Sequence, residues 1–394
     1  MKGNDMNNYE QLKEKAYLNI ETYKNLCKDL NDFLADNPEV SGKEFQSSHK
    51  IADVLKSYGY EVELPFAGYE TAFKATYGTK QHTRKIAIMT EYDALPGIGH
   101  ACGHCTSAAI SILTGLSIKD MQDELDADID IIGTPIEETD GAKCTMVKKG
   151  VFDNYDMALM VHLYGENLIS PKLQALDSYT YVFHGKSAHA SAAPWDGNNA
   201  LNGIQLMFHA IDMLRQHVKP DVRIHGVVRD GGLAPNIVPE KASAEFYIRS
   251  MSREYLNELT RKIDDCARGA AIATQTTYEK TPTAESYDNL KPNATGEIVL
   301  AESYRELGLE IGDTEKVFGS SDAGNVSMVC PTFHPIVQIA DPTVAIHTRE
   351  FADAVKSDRA YEGMVNGAKI LIMQVLKIFT DKEKFESMKR DFEK

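Results

Sequence analysis

Lys85-Ile-Ala-Ile-Met89 runs directly into Thr90-Glu-Tyr-Asp-Ala-Leu-Pro-Gly-Ile-Gly-His-Ala-Cys-Gly-His-Cys105, and this stretch sets the class of the fold. An apolar run without alternation predicts a strand buried on both faces, the kind found in sheets covered by helices. The segment that follows lies at the carboxyl end of that strand, where α/β sheets place their ligand sites. It gathers Glu91, Asp93, His100, Cys102, His104 and Cys105. A plain connecting loop accounts for the glycines and Pro96 but not for this density of ligand-type side chains.

Two more strand-like runs end in the same way. Ile129-Asp-Ile-Ile132 is followed by Thr134-Pro-Ile-Glu-Glu138, and Ala158-Leu-Met-Val161 by His162. Adjacent glutamates are ordinary on a solvated helix and a lone histidine is ordinary in a core, but three successive strand ends bearing Cys/His, Glu/Glu and His point to one place. His347, in Ala345-Ile-His-Thr-Arg-Glu-Phe351, adds a fourth element. Imidazoles, a thiolate and carboxylates suit zinc, manganese or cobalt. One ion needs three or four protein ligands, and five plausible ones stand here, so two metals sharing a bridge are expected. A glutamate directly beside a ligating glutamate is well placed to move a proton.

Around this centre the first half reads as α/β: helical spacing over Tyr9 to Leu34 and Lys43 to Tyr58, then strands near 60–64, 72–77, 85–89, 128–132 and 157–161. From Ser178 the order approaches β-α-β-β-α-β, a small sandwich inserted into the first domain. The expected division is therefore a catalytic domain of residues 1–177 and 289–394 and an inserted domain of 178–288, with one long helix at Ala352 to Phe379 and another at Lys382 to Glu393.

The 394 residues suffice for two or three domains, and six irregularly spaced cysteines make no disulfide framework. The net charge of −16 argues against nucleic acid and anionic lipid as partners. The longest apolar stretches fall short of the ~20 residues that span a bilayer. The polar start, Met1 to Lys15, lacks the apolar core of a secretory signal, so a cytoplasmic location is expected.

Taken as a set, the motifs resemble the dinuclear-metal aminoacylase and carboxypeptidase family, peptidase family M20. They are most similar to its amidohydrolase branch of aminobenzoyl-glutamate hydrolases, auxin-conjugate hydrolases and β-alanyl-dipeptide hydrolases. The resemblance rests on Asn37-Pro-Glu39 with Glu44, Glu91 to His104, Thr134 to Glu138, His162, His184-Gly-Lys-Ser-Ala-His-Ala-Ser191 with Pro194 and Asn198, Asn236-Ile-Val-Pro239, Arg249, Ser321-Asp322 and His347-Thr-Arg-Glu-Phe351. It implies a phosphorylase/hydrolase-like α/β catalytic domain, a mixed sheet flanked by helices, with an inserted ferredoxin-like α+β lid and dimerisation domain.

By the same resemblance, two divalent ions, zinc first and manganese, cobalt or nickel as alternatives, are held with Cys102 as bridge. His104 and His162 serve one ion, and Glu138 and His347 the other. Glu137 is similar to the general base, Asp93 to the carboxylate that orients a ligand histidine, and His189 to a histidine sent into the partner subunit's site to hold the oxyanion. Asn236 and Arg249 match receptors of the substrate carboxylate. The implied activity is hydrolysis of the amide of an N-acyl- or N-aminoacyl-amino acid or small peptide by a hydroxide generated between the metals, in a homodimer or dimer of dimers. His100 and His334 stand as candidate supporting or substrate contacts. Cys105 departs from the family pattern and creates Cys102-Gly-His-Cys105, which keeps open a thioredoxin-like redox protein; a metal-binding relative without catalysis is the other alternative.

Overall fold

The computed structural model describes residues 2–78 and 81–394, with the side chains of residues 2–7 left aside. In chain order, α1 (Lys2–Asp36) and α2 (Phe45–Ser57) precede β1 (Glu61–Glu63), β2 (Phe73–Thr76) and β3 (Arg84–Thr90). Next come α3 (His104–Ile118), β4 (Ala127–Gly133), α4 (Ala142–Lys148), β5 (Met157–Leu159) and β6 (His162–Tyr164). The second unit brings β7 (Ala175–His184), α5 (Ala200–Leu214), β8 (Arg223–Asp230), β9 (Lys241–Ser250), α6 (Arg253–Thr274) and β10 (Thr277–Pro282). The chain then returns through α7 (Ala294–Glu306), α8 (Ala323–Ser327), β11 (Thr332–Phe333), β12 (Ile336–Gln338), α9 (Arg349–Ala354), α10 (Asp358–Phe379) and α11 (Lys382–Glu393). The two compact units are residues 1–172, 290–318 and 322–394, and residues 173–289 with 319–321.

The first unit is built on a six-stranded sheet of order β1-β2-β4-β3-β5-β11. Its centre is parallel, β3 lying between β4 and β5, whereas β2 runs antiparallel to β4, so the sheet is mixed. Ile86, Ala87, Ile88 and Met89 are buried in β3, and β4 is buried along its whole length. Side chains buried on both faces leave the backbone no water, so its polar groups pair within the sheet or with side chains, as Ile129 N does with Gln122 Oε1 at 2.8 Å. All of α3 is buried as well, and with α1 and α10 it forms one apolar core over the sheet. This core fixes the carboxyl ends of β3 and β4 and the start of α3, and the site is built there.

Two local features depart from the sequence reading. The run at 157–161 is not one strand: β5 pairs with β11 through Ala158↔Thr332 and Leu159↔Phe333, and β6 pairs with β12 through His162↔Ile336. The break at Met160-Val161 faces the break at His334-Pro335, and Pro335 has no N–H to continue a ladder. The helix expected over 352–379 is likewise two, because Ser357 caps α10 by accepting from the Ala360 N–H at 3.2 Å.

The second unit has the order β-α-β-β-α-β and an antiparallel sheet β10-β7-β9-β8. Ile204, Met207 and Ile211 of α5 and Leu256, Leu259 and Ile263 of α6 pack with Tyr181, Phe183, Phe246 and Ile248 in a core of its own. This is the ferredoxin-like arrangement. Its edge strand β8 exposes Val227 and Val228, and the neighbouring loops expose Trp195 and Leu233.

Candidate active site

Short loops leaving buried strands deliver the ionisable groups of the first unit. After β3 come Glu91 and Asp93, both fully buried, and Cys102 and His104 follow at the start of α3. After β4, Ile136 takes a left-handed φ of +67°, rare for a β-branched residue. The buried carboxylate of Glu44 holds that conformation by accepting from Ile136 N at 3.1 Å, while also accepting from Gly42 N at 2.8 Å and Thr71 Oγ1 at 2.9 Å. Consecutive side chains of an extended strand point to opposite faces, and the turn at Ile136 instead brings Glu137 and Glu138 to one group with His104. Replacing Glu44 by Ala would strand these three donors. We expect a loss of roughly 2–4 kcal/mol in denaturant unfolding, with lowered turnover because the Glu137 backbone loses its anchor.

Five of the residues singled out in the sequence converge in two triads. Ligand atoms of Cys102, His104 and His162 lie within 4.8 Å of one another, and so do those of Cys102, Glu138 and His347. The thiol is common to both triads, with Sγ 3.5 Å from His162 Nε2 and 3.4 Å from His347 Nε2. A tetrahedral zinc with its usual bond lengths sets sulfur and nitrogen ligands ~3.5 Å apart. His104 Nδ1 donates to Asp93 Oδ1 at 3.0 Å, and His162 Nδ1 donates to the Leu163 carbonyl at 3.1 Å. Each bond leaves Nε2 with its lone pair directed into the cluster. His104 Nε2, Glu91 Oε2 and Glu138 Oε1 are buried and make no hydrogen bond. Buried polar atoms without partners are uncommon in native proteins, and cations held by the two triads would satisfy His104 and Glu138. The donor set fits a pair of divalent metals, and Cys102 is common to the two groups that would hold them.

The electrostatics are arranged around Asp93 and Glu137. Asp93 is buried, which would raise its pKa, yet His104, the Glu138 N–H and the Ser41 hydroxyl hold it down at about 2, so it remains an anion. Glu137 is pushed well above the ordinary carboxylate range by burial and by its neighbours Glu91, Glu138 and Asp322. Its Oε2 lies 3.9 Å from His104 Nε2. A carboxylate at the edge of a metal cluster with raised proton affinity is a group able to carry a proton.

His347 is half exposed on the His-Glu side, in a left-handed conformation with φ +65°, and its N–H donates to the Ala101 carbonyl at 2.8 Å. Neither His100 nor His334 reaches a hydrogen-bond partner; both are buried, and the His334 ring stacks 5.7 Å from that of His162. Sequence reasoning missed Lys143, which is fully buried between Glu91 at 2.5 Å and Asp322 at 2.6 Å. A lysine two positions into a short helix carries no local mark of burial.

His189, Asn236 and Arg249 belong to the second unit. His189 and Asn236 are exposed on adjacent segments joined by Ala190 N to Asn236 O at 3.0 Å. Those segments prolong the β7–β9 ladder past Lys241↔His184, through Gly185–Glu240 and Ala188–Val238 bonds. Arg249 lies at the other end of β9, opposite Leu176, and donates to Ser320 Oγ at 2.9 Å. Eight residues of strand separate Lys241 from Arg249, ~27 Å, so within one chain Asn236 and Arg249 do not meet.

Cys105 is fully buried in the apolar core, and burial raises its thiol to about 12. A thiol of that kind is a packing group rather than a nucleophile, which removes the thioredoxin-like alternative.

Fold and site together define a metal-dependent hydrolase of amide bonds in acyl-amino acids or peptides. Residues 173–274 match the peptidase dimerisation domain. The chain is 34% identical over 341 residues to Xaa-Arg dipeptidase of Mus musculus, covering 83% of this chain and 79% of that one. It is 27% identical over 319 residues to a component of the p-aminobenzoyl-glutamate hydrolase of Escherichia coli, covering 76% of this chain and 66% of that one. The structure of a dinuclear metal binding peptidase from the M20 family of Bacillus subtilis superposes with a TM-score of 0.72 at 18% identity, covering 91% of this chain and 99% of that one. The chain belongs to the M20 peptidase family.

Proposed function

We propose that this chain is a cytoplasmic, zinc-dependent, homodimeric hydrolase of dipeptides and acyl-amino acids. The observation that carries the reading is the pair of ligand triads sharing Cys102, with Glu137 beside them. His104 and His162 would hold one ion and Glu138 and His347 the other, Cys102 serving both. Two such ions would supply an acidified water and polarisation of the scissile carbonyl. Glu137 takes the proton of the attacking water and gives it to the leaving amine; Asp93 keeps His104 in its ligating tautomer. His189 donates to the developing oxyanion and Asn236 orients the substrate, while the Arg249 guanidinium receives its carboxylate.

Because Asn236 and Arg249 stand at opposite ends of one sheet, a single substrate can meet both only if they come from different chains. The match to a peptidase dimerisation domain and the exposed Trp195, Leu233, Val227 and Val228 support that pairing. Likeness to an Xaa-Arg dipeptidase and a net charge of −16 favour substrates with a cationic carboxy-terminal residue.

The test is metal analysis of the purified protein, followed by a competition screen of Xaa-Arg, Xaa-Lys and neutral dipeptides against N-acyl-amino acids, with and without chelator. Two zinc ions per chain, hydrolysis abolished by chelator and restored by zinc, and preference for the cationic dipeptides are expected. A protein loaded with two ions that cleaves none of these amides would end the proposal.

A further inference from the structure

The ammonium of Lys143 sits in a pocket of carboxylates outside the two ligand triads. Glu91 Oε1 is 2.5 Å and Asp322 Oδ1 2.6 Å from Nζ, and all three side chains are fully buried. Asp322 also accepts from the Lys143 backbone N–H at 3.0 Å through Oδ2. Carboxylate oxygens of Glu91, Glu137 and Asp322 lie within 4.8 Å of one another, the spacing of a cation site. The second oxygen of Glu91, Oε2, is buried without a hydrogen bond and lies 3.4 Å from His104 Nε2.

Oxygens bind calcium at 2.3–2.6 Å, so Nζ occupies a point that suits a hard cation. We propose that Lys143 is an internal cation filling a third, all-carboxylate metal site, its ammonium held by one oxygen of Glu91 while the other oxygen lies toward His104. The lysine is covalently attached, so the pocket is filled whatever ions surround the protein, and the exchangeable ions stay confined to the Cys, His and Glu138 side. Lysine gives a point charge on a flexible stem, which suits a pocket that asks for charge and not for a planar fork.

Deleting the stem should reopen the pocket. The zinc-loaded parent and Lys143→Ala proteins are dialysed against calcium and counted for both metals, and melting is followed with and without calcium. The parent should bind no calcium at this site. Lys143→Ala should gain one calcium per chain and melt at a higher temperature with calcium than without it. Adding Asp322→Asn should abolish the gain, and Lys143→Met, which fills the volume without charge, should lower the melting temperature with no response to calcium. A Lys143→Ala protein that takes up no additional ion overturns the proposal. So does one that aggregates even when refolded in calcium, since the ion was to replace the ammonium. Zinc content reports separately on the metal pair, so failure of that reading and failure of this one are distinguishable.

Discussion

Glu137→Gln is expected to keep two metal ions per chain and to lose roughly 10²–10⁴ in turnover, the usual scale for removing a general base. Gln has the shape of Glu and can still accept hydrogen bonds, but it cannot take up the proton of a water. Glu137 belongs to neither of the triads that share Cys102, although it stands next to both. Glu138→Gln should behave differently, because Glu138 shares a triad with Cys102 and His347: it should lose metal as well as activity. Metal stoichiometry and single-substrate kinetics on the two variants separate the roles. A Glu137→Gln enzyme that turns over like its parent would sink the assignment of the base.

His189→Ala is expected to lose roughly 10²–10³ in turnover, the scale of a lost oxyanion donor, and its subunits should be rescued by subunits that are inactive for a different reason. Mixing equal amounts of His189→Ala and Glu137→Gln chains after dissociation leaves about half the dimers mixed, each with one composite site that owns both groups. Roughly a quarter of the parental specific activity should return. If His189 served its own chain, no site in any mixture would be whole, and verified mixed dimers would stay inactive. The geometry behind this is the length of β9, which places Arg249 and the His189-Asn236 segment at opposite ends of one sheet.

The α/β class and the strands that carry the site were legible because burial on both faces leaves an uninterrupted apolar run, as in Ile86 to Met89. Glu91, Cys102, His104, Glu138 and His162 stood out for the same reason: each follows a strand end where a polar residue has no packing role to fill. His347 stood out by residue type alone, and its segment is held to the loop after β3 by His347 N to Ala101 O and by Arg349 to the Gly97 carbonyl. Lys143 was not legible at all. Its burial is decided by Glu91 and Asp322, 52 and 179 residues away in the chain, and no window of local sequence contains either distance. The break between α9 and α10 was legible in principle, since Ser357-Asp358 is a capping signal, but the apolar spacing on both sides masked it.

Cys102 and His347, which face each other across 3.4 Å, are separated by 245 residues of chain. Such a contact is strongly non-local, and the entropy of closing a loop of that length is offset only after helices and hairpins, whose contacts are local, have formed. A partly folded chain can therefore hold native helices and a native β3–β4 pair, and look well structured to circular dichroism, while owning no catalytic centre. Recovery of activity on refolding should trail recovery of helix signal, which makes the enzyme's own turnover the most stringent clock of its completion.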